Sequence, residues 1–289
     1  MIARKHRARG HRRTGGEIGA EMCCDERLDP WRWRSEAVTN PDSSADRRRP
    51  FLIIKTGQAV PEARALGGDF EDWFIAGLGR ARFDYRTVAV FDGESLPDPA
   101  GLAGALITGS PAMVSHRADW SERTAEWLAD AHRAGLPLLG VCYGHQLLAH
   151  ALGGTVGPNP AGRRMGRVDV HSIEPDDPLL GRFAPNEHFH VSHSEAVLAP
   201  PDGARIVGVT DRDPHHALHF GGHSWGVQFH PEFGRAIMRA YLQARADALS
   251  EEGQDPAELV RGVSDDTVGP AVLARFGALA EAAQRSFAA

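Results

Sequence analysis

Three side chains in this sequence have the types and spacing for nucleophilic chemistry. Cys142 sits in "GVCYG" (residues 140–144), and His230 is followed two residues later by Glu232 in "QFHPEF" (residues 228–233). A thiolate that attacks a carbonyl needs a base to manage its proton, and the base needs a group that holds its tautomer. Cys142, His230 and Glu232 supply those three parts. Each piece also has a plainer reading. Cys142 alone is a buried cysteine between a strand and a helix, and His-Pro-Glu alone is a strand-to-helix loop in which Pro231 ends the strand and Glu232 opens the helix.

The elements around these residues decide whether they meet. "LPLLGV" reads as a strand and "HQLLAHAL" as a helix, so Cys142 lies at a sharp turn between them. Small neighbours make such an elbow possible, and the helix N-terminus favours the thiolate there. Upstream, "FLIIKTG", "RTVAVFDG" and "GALITGS" are short apolar runs closed by Gly or Asp. Between them, "DFEDWFIAGL" and "DWSERTAEWLADAHRAG" carry helical spacing. That alternation predicts an α/β fold, a mostly parallel sheet with helices on both faces. Ligands then bind at the carboxyl ends of the strands, where Cys142 is placed. Downstream, "RVDVHSI", "HFHVSHSEAVL", "ARIVGVT", "ALHFGG" and "SWGVQFH" follow with little helix between them, which predicts an added antiparallel portion. Beyond Pro231 the chain returns to helix. "GRAIMRAYLQARADALSEEG", "DPAELVRGV" and "PAVLARFGALAEAAQRSFAA" place Leu259, Val260, Val263, Val272, Leu273, Phe276 and Leu279 at near-helical spacing, as a packed C-terminal helical tail requires.

Composition narrows the setting. The 289 residues carry a net charge of −6, which gives no reason to expect nucleic acid or an anionic membrane as a partner. No apolar run reaches the roughly 20 residues of a membrane span, and no secretory leader is evident, so a cytoplasmic setting is expected. Cys23 and Cys24 are adjacent and Cys142 is remote, which makes neither a disulfide framework nor a zinc pattern and leaves Cys142 a free thiol. His188 and His190 alternate onto one strand face, but no further ligand spacing accompanies them, so no metal site and no cofactor are expected. Residues 1–49 are basic and then rich in turn formers, and read as a flexible extension or linker. The expected organisation is that extension, a catalytic α/β domain over 50–245, and a helical extension over 246–289.

Taken together, "ITGSP", "GVCYGHQLLAHALGG", "VSHSEAV" and "GVQFHPEF", in that order, resemble the class I (triad-type) glutamine amidotransferase family. The resemblance spans roughly residues 51–240. Its texture is nearest to stand-alone members similar to the glutaminase domain of GMP synthase. It implies a flavodoxin-like sheet with Cys142 as nucleophile at the elbow, His230 as base and leaving-group acid, and Glu232 as the group that orients His230. It implies an oxyanion hole built from the backbone N–H groups of Tyr143 and Ser110, with Gly109 giving the loop room to turn. Many synthetase-linked members carry Gly where Ser110 stands, a departure at that loop. It also implies that Gln146 and the backbone around Ser194 and Glu195 contact the substrate's amino-acid end, with His193 as support behind them.

The function so implied is release of ammonia from the glutamine side chain through a γ-glutamyl thioester. No phosphate-binding G-x-x-x-x-G-K-[ST] loop appears that would mark an ATP-using synthetase module, so an ammonia-accepting synthetase would be a separate partner. Two alternatives stay open: hydrolysis of a γ-glutamyl peptide or amine on the same fold, and a noncatalytic binding protein, against which the complete Cys-His-Glu set speaks. The sequence leaves the oligomeric state open.

Overall fold

The first strand explains why the sheet is covered on both sides. In β1 (Phe51–Lys55), Phe51 and Ile53 enter one apolar cluster while Leu52 and Ile54 enter another on the opposite face. Side chains alternate across a strand, so a continuous apolar run needs helices on both faces. The computed structural model describes residues 49–287 apart from 173, 182, 184, 185, 266 and 267. All but the last residue of the expected N-terminal extension lies outside the described residues.

After β1 come α1 (Pro61–Arg64), α2 (Phe70–Leu78), β2 (Tyr85–Ala89), β3 (Gly104–Ile107), α3 (Asp119–Arg133), β4 (Leu138–Val141) and α4 (Tyr143–Ala151). Next are β5 (Thr155–Pro158), β6 (Arg164–Ser172), β7 (Asn186–His193), β8 (Glu195–Ala199), β9 (Arg205–Thr210), β10 (Asp213–Gly221) and β11 (Ser224–Val227). The chain closes with α5 (Arg235–Ala244), α6 (Ala246–Glu251), α7 (Pro256–Gly262) and α8 (Gly269–Phe287).

Nine strands form one sheet in the order β2-β1-β3-β4-β11-β10-β9-β6-β7. The neighbours from β2 to β11 pair in parallel and those from β11 to β7 antiparallel. This is the expected fold class, an α/β sheet with a parallel core, an antiparallel portion and a C-terminal helix. His190 of β7 also bridges His230, just beyond β11, with the His230 N–H donating to the His190 carbonyl at 2.8 Å. The antiparallel half therefore curls back toward the parallel half.

Helix α8 belongs to the core. Val272, Leu273 and Phe276 are buried in the same cluster as Phe51, Phe74 and Trp225, and Arg82 pairs with Glu281 at 3.0 Å. Val263 is buried there too, with Leu259, Val260 and Leu279 packed against it. A Cβ at Gly77 of α2 would collide with Leu273, so the glycine sets how closely α2 and α8 approach.

Three details differ from the sequence pattern. The single run "HFHVSHSEAVL" turns at Ser194 into β7 and β8, which belong to different sheets, β8 pairing with β5. Strand β5 has only four residues and is half-exposed, so its apolar signal is weak. The helical run after Gly234 breaks at Arg245 into α5 and α6.

Candidate active site

The elbow is built by steric necessity. Cys142 has φ 53° and ψ −104°, and it and Arg117 are the non-glycine residues at positive φ among those described. Such a conformation is strained for an L residue and persists only where surroundings impose it. Here the Cys142 N–H donates to the Val227 carbonyl at 2.9 Å, the Gly144 N–H donates to the Thr108 carbonyl at 3.2 Å, and the Cys142 carbonyl accepts from the Gln146 N–H at 3.1 Å. A Cβ at Gly140 would run into the backbone of Gly144 and His145, and one at Gly144 into Ile107. Both glycines are what let α4 start so close to the sheet. The Cys142 thiol is buried, 3.7 Å from the Ser192 carbonyl.

His230 arrives from the segment after β11. Its Nδ1 is 2.7 Å from Glu232 Oε1, which leaves Nε2 as the ring nitrogen open to other partners. The ring stacks on Phe233 at 4.0 Å and 9°, with Phe70 nearly coplanar in orientation 6.4 Å away. Burial by itself would lower the imidazole pKa. Interactions with Glu232 and Cys142 outweigh it and raise the pKa to about 10, which favours the protonated ring. Glu232 lies behind His230, and its second oxygen is buried without a partner among the described residues.

The loop between β3 and α3 carries the sequence-predicted oxyanion donors. Neither the Ser110 N–H nor the Tyr143 N–H has a protein acceptor among the described residues. Thr56, just past β1, clamps this loop. Its hydroxyl lies 3.1 Å from the Thr108 carbonyl, 3.1 Å from the Thr108 hydroxyl and 2.9 Å from the Gly109 carbonyl. The Ser110 hydroxyl donates back to the Thr56 carbonyl at 2.7 Å and accepts from the Ala112 N–H at 3.1 Å. Ser110 thus ties the loop to the end of β1. Gly109 is required for a different reason, since a Cβ there would sit 2.9 Å from His230 Cε1.

Cys142, His230, Ser110, Tyr143, Gln146, Ser194 and Glu195 line one cavity of about 310 Å³, at the lower end of the range for small-molecule sites. The Gln146 amide donates to the Glu195 carbonyl at 2.8 Å and to Gln228 Oε1 at 2.9 Å, so its side chain braces the wall. The Ser194 carbonyl accepts from the Asn159 N–H, and the Glu195 carboxylate accepts from the Ser115 N–H at 3.3 Å. His193 Nδ1 is 2.8 Å from the Glu195 carbonyl, and burial lowers its pKa to about 4, so it is neutral.

The same cavity includes residues that no motif marked: Gln58 after β1, Phe70 at the start of α2, Arg163 before β6, Tyr241 of α5, Arg245 at the break and Ala248 of α6. Burial, reinforced by the Glu232 charge, pushes the Tyr241 phenol far up. Their one sequence signal is the spacing of Tyr241, Arg245 and Ala248 on one helical face, which does not distinguish a cavity wall from an ordinary surface.

Elsewhere, His188 pairs with Asp169 at 2.7 Å, while His190 Nδ1 bonds the Phe233 carbonyl at 2.9 Å. Among the described residues no group of three or more His, Cys, Asp or Glu side chains is placed to hold a metal ion, and no helix is long and apolar enough to cross a membrane.

The family model for glutamine amidotransferase class-I matches residues 70–244. GMP synthase [glutamine-hydrolyzing] from Aeropyrum pernix is 35% identical over 186 residues, which are 62% of this chain and 34% of that protein. The enzyme of that name from Porphyromonas gingivalis is 35% identical over 145 residues, 50% of this chain and 28% of the relative. The chain thus spans about a third or less of these relatives. Among solved structures, a glutamine amidotransferase from Thermotoga maritima shares the fold at a TM-score of 0.65 and 20% identity, covering 81% of this chain and 99% of that one. A glutamine amidotransferase from Methylobacillus flagellatus does so at 0.63 and 21%, covering 83% and 95%. With a family match over residues 70–244, more than half of its length, the chain belongs to the class I glutamine amidotransferases.

Proposed function

We propose that the protein hydrolyses the side-chain carboxamide of glutamine through a γ-glutamyl thioester on Cys142. The observation that carries this reading is the meeting of Cys142, His230 and the Ser110 and Tyr143 N–H groups at one cavity, with Glu232 bonded behind the histidine. The sulfur attacks the carboxamide carbon, and the carbonyl electrons move to an oxygen held by the two N–H groups. The imidazolium passes its Nε2 proton to the departing nitrogen, the C–N bond breaks, and ammonia leaves. Water then attacks the thioester while His230 takes its proton. Collapse of that intermediate breaks the C–S bond and yields glutamate, and His230 is again an imidazolium beside the sulfur. Glu232 keeps Nδ1 protonated throughout and offsets the imidazolium charge.

The ammonia serves a separate synthetase subunit in this reading, as the sequence similarity to GMP synthases suggests, and the protein acts in the cytoplasm. The catalytic domain is assigned to 50–245, with 246–289 as the helical extension that completes its core and cavity wall. The test is a substrate panel of glutamine alone, glutamine with cell extract, and γ-glutamyl peptides and amines, assayed for ammonia and glutamate. Equal yields of ammonia and glutamate from glutamine, lost in Cys142→Ala, support the proposal. Turnover of γ-glutamyl peptides or amines with glutamine untouched would replace it with the γ-glutamyl hydrolase reading.

A further inference from the structure

Lys55 breaks the pattern of its strand. It follows Phe51 and Ile53 along one face of β1, where both of those pack into the core with Phe70 and Phe74 of α2. The lysine is taken out of water as well, at 8% exposure, and its ammonium meets two carboxylates, Asp69 Oδ2 at 3.0 Å and Glu71 Oε1 at 2.8 Å. Burial alone would lower its pKa. The hydrogen bonds and charges of Glu71 and Asp69 outweigh burial and raise it, which keeps the ammonium charged. A buried ion pair gives little net stability over well-packed apolar side chains, and its best-attested use is to fix the register of the elements it joins.

Asp69 joins three elements at once. As the N-cap of α2, its Oδ1 accepts from the Phe70 N–H at 2.8 Å and from the Ala59 N–H at 2.9 Å, while Oδ2 takes Lys55. The end of β1, the loop after it and the start of α2 therefore share one carboxylate, and each of them carries part of the site. Thr56, next after Lys55, bonds the Thr108 and Gly109 carbonyls. A Cβ at Gly57 would meet Pro111 Cδ at 2.6 Å and Ser110 Oγ at 2.9 Å, so the loop after β1 lies directly against the loop of the Ser110 donor. Phe70 lines the cavity, its ring nearly parallel to those of His230 and Phe233 at 6.4 Å from each. The same ring stands 3.5 Å from where a Gly109 Cβ would be, so it faces the oxyanion loop and the imidazole together.

We propose that Lys55, through its ion pair with Asp69, is a positioning residue: it holds the Thr56 clamp and the Phe70 wall in one register, so that the Ser110 loop and the His230 imidazole address the same carbonyl group. This rests on the reading of Cys142 as the nucleophile of a γ-glutamyl transfer. Lys55 touches neither the substrate nor the sulfur, and its effect falls on the transition state, where charge moves onto the oxyanion donors, rather than on the binding of glutamine.

The test compares the wild-type protein with Lys55→Met, Asp69→Asn, the double variant carrying both, and Lys55→Arg. Arg82→Met removes the ion pair between Arg82 and Glu281 of α8 instead and controls for the loss of an ion pair as such. Each protein is assayed for kcat and KM with glutamine, for melting temperature, and for two labelling rates at Cys142. A chloroketone analogue of glutamine needs the oxyanion donors, whereas iodoacetamide needs only the thiolate. Lys55→Met is expected to lower kcat about 10- to 100-fold with KM nearly unchanged, and to slow chloroketone labelling by a similar factor while iodoacetamide labelling stays as it was. Lys55→Arg should recover part of the loss, and Arg82→Met should leave kcat and both labelling rates unchanged. The double variant leaves no buried charge facing a lost partner, so it should regain melting temperature relative to the single variants without regaining kcat. If Lys55→Met does not fold, the double variant carries the same comparison. An unchanged kcat, a kcat that tracks melting temperature through the series, an equal loss in Arg82→Met, or an equal slowing of both labels would each overturn the inference while leaving the proposed reaction standing. A wild-type protein that releases no ammonia from glutamine and resists the chloroketone would bring down both.

Discussion

The two halves of the active site are built by different means. The parallel half supplies Cys142 and the Ser110 loop, and it places them through backbone: a positive φ at the nucleophile, hydrogen bonds to Val227 and Thr108, and glycines where a Cβ would collide. His230 and Glu232 come from the segment just after β11, where the antiparallel half closes on the parallel one, and there the arrangement is held by side-chain contacts. Backbone placement is rigid but chemically limited. Charge is chemically rich but needs burial and partners to be directed, which is why His230 is stacked on Phe233 and bonded to Glu232 at once.

The sharpest way to break this comparison is to remove one reacting atom from each half. Cys142→Ala and His230→Ala should each lower kcat for glutamine by several orders of magnitude, with little added loss when combined, because the two act as a unit. A steady-state assay of both single variants and the double variant checks this, and additive losses would mean that the halves act separately.

Glu232→Gln tests the charge half alone. Glutamine keeps a hydrogen bond to Nδ1 but removes the carboxylate charge, the largest influence raising the His230 pKa. The variant should lose about 100-fold or more in kcat. The imidazole pKa, followed by NMR, should fall well below its wild-type value of about 10. An unchanged titration would remove Glu232 from its assigned role.

Thr56→Val tests the backbone half alone. It deletes the hydroxyl that clamps Thr108 and Gly109 without touching any charged group. Loosening the oxyanion donors should lower kcat about 10- to 100-fold with KM nearly unchanged, and Thr56→Ser should restore most of it. A KM effect without a kcat effect would show that the clamp shapes binding rather than the transition state.

The smallest effect is on stability against pH. Burial lowers His145 to about 3 and His193 to about 4 from an unfolded value near 6.5. Both are neutral when folded and charged when unfolded across that window, so their contribution is present above about 6.5 and is lost as pH falls toward 4. His230 has the opposite sign. Its raised pKa contributes fully below about 6.5 and is lost as pH rises toward 10. Melting temperature against pH should therefore fall on both sides, and His145→Gln should flatten the acid side.

How much of this was legible depends on how local each cause is. The elbow is written in five adjacent residues, because Gly140, Cys142 and Gly144 meet the same steric problem within one turn of chain. His230 and Glu232 are two residues apart, and the apolar alternation of β1 and the strands beside it already demands a sheet covered on both faces. The α/β class, the strand-to-helix elbow at Cys142 and the helical character of the C-terminal tail are therefore readable from residue order alone. Folding in three dimensions was needed to set Thr56 as the clamp of a loop 52 residues away, to turn one apolar run at Ser194 into two sheets, to fill the core beside Phe51 with α8, and to join Arg163 to Glu252. The physical reason is that steric rules act between neighbours and leave a pattern in a short window. Hydrogen-bond clamps and ion pairs arise where the order and curl of the sheet bring distant segments together, and residue types at distant positions carry no periodicity that would announce the meeting.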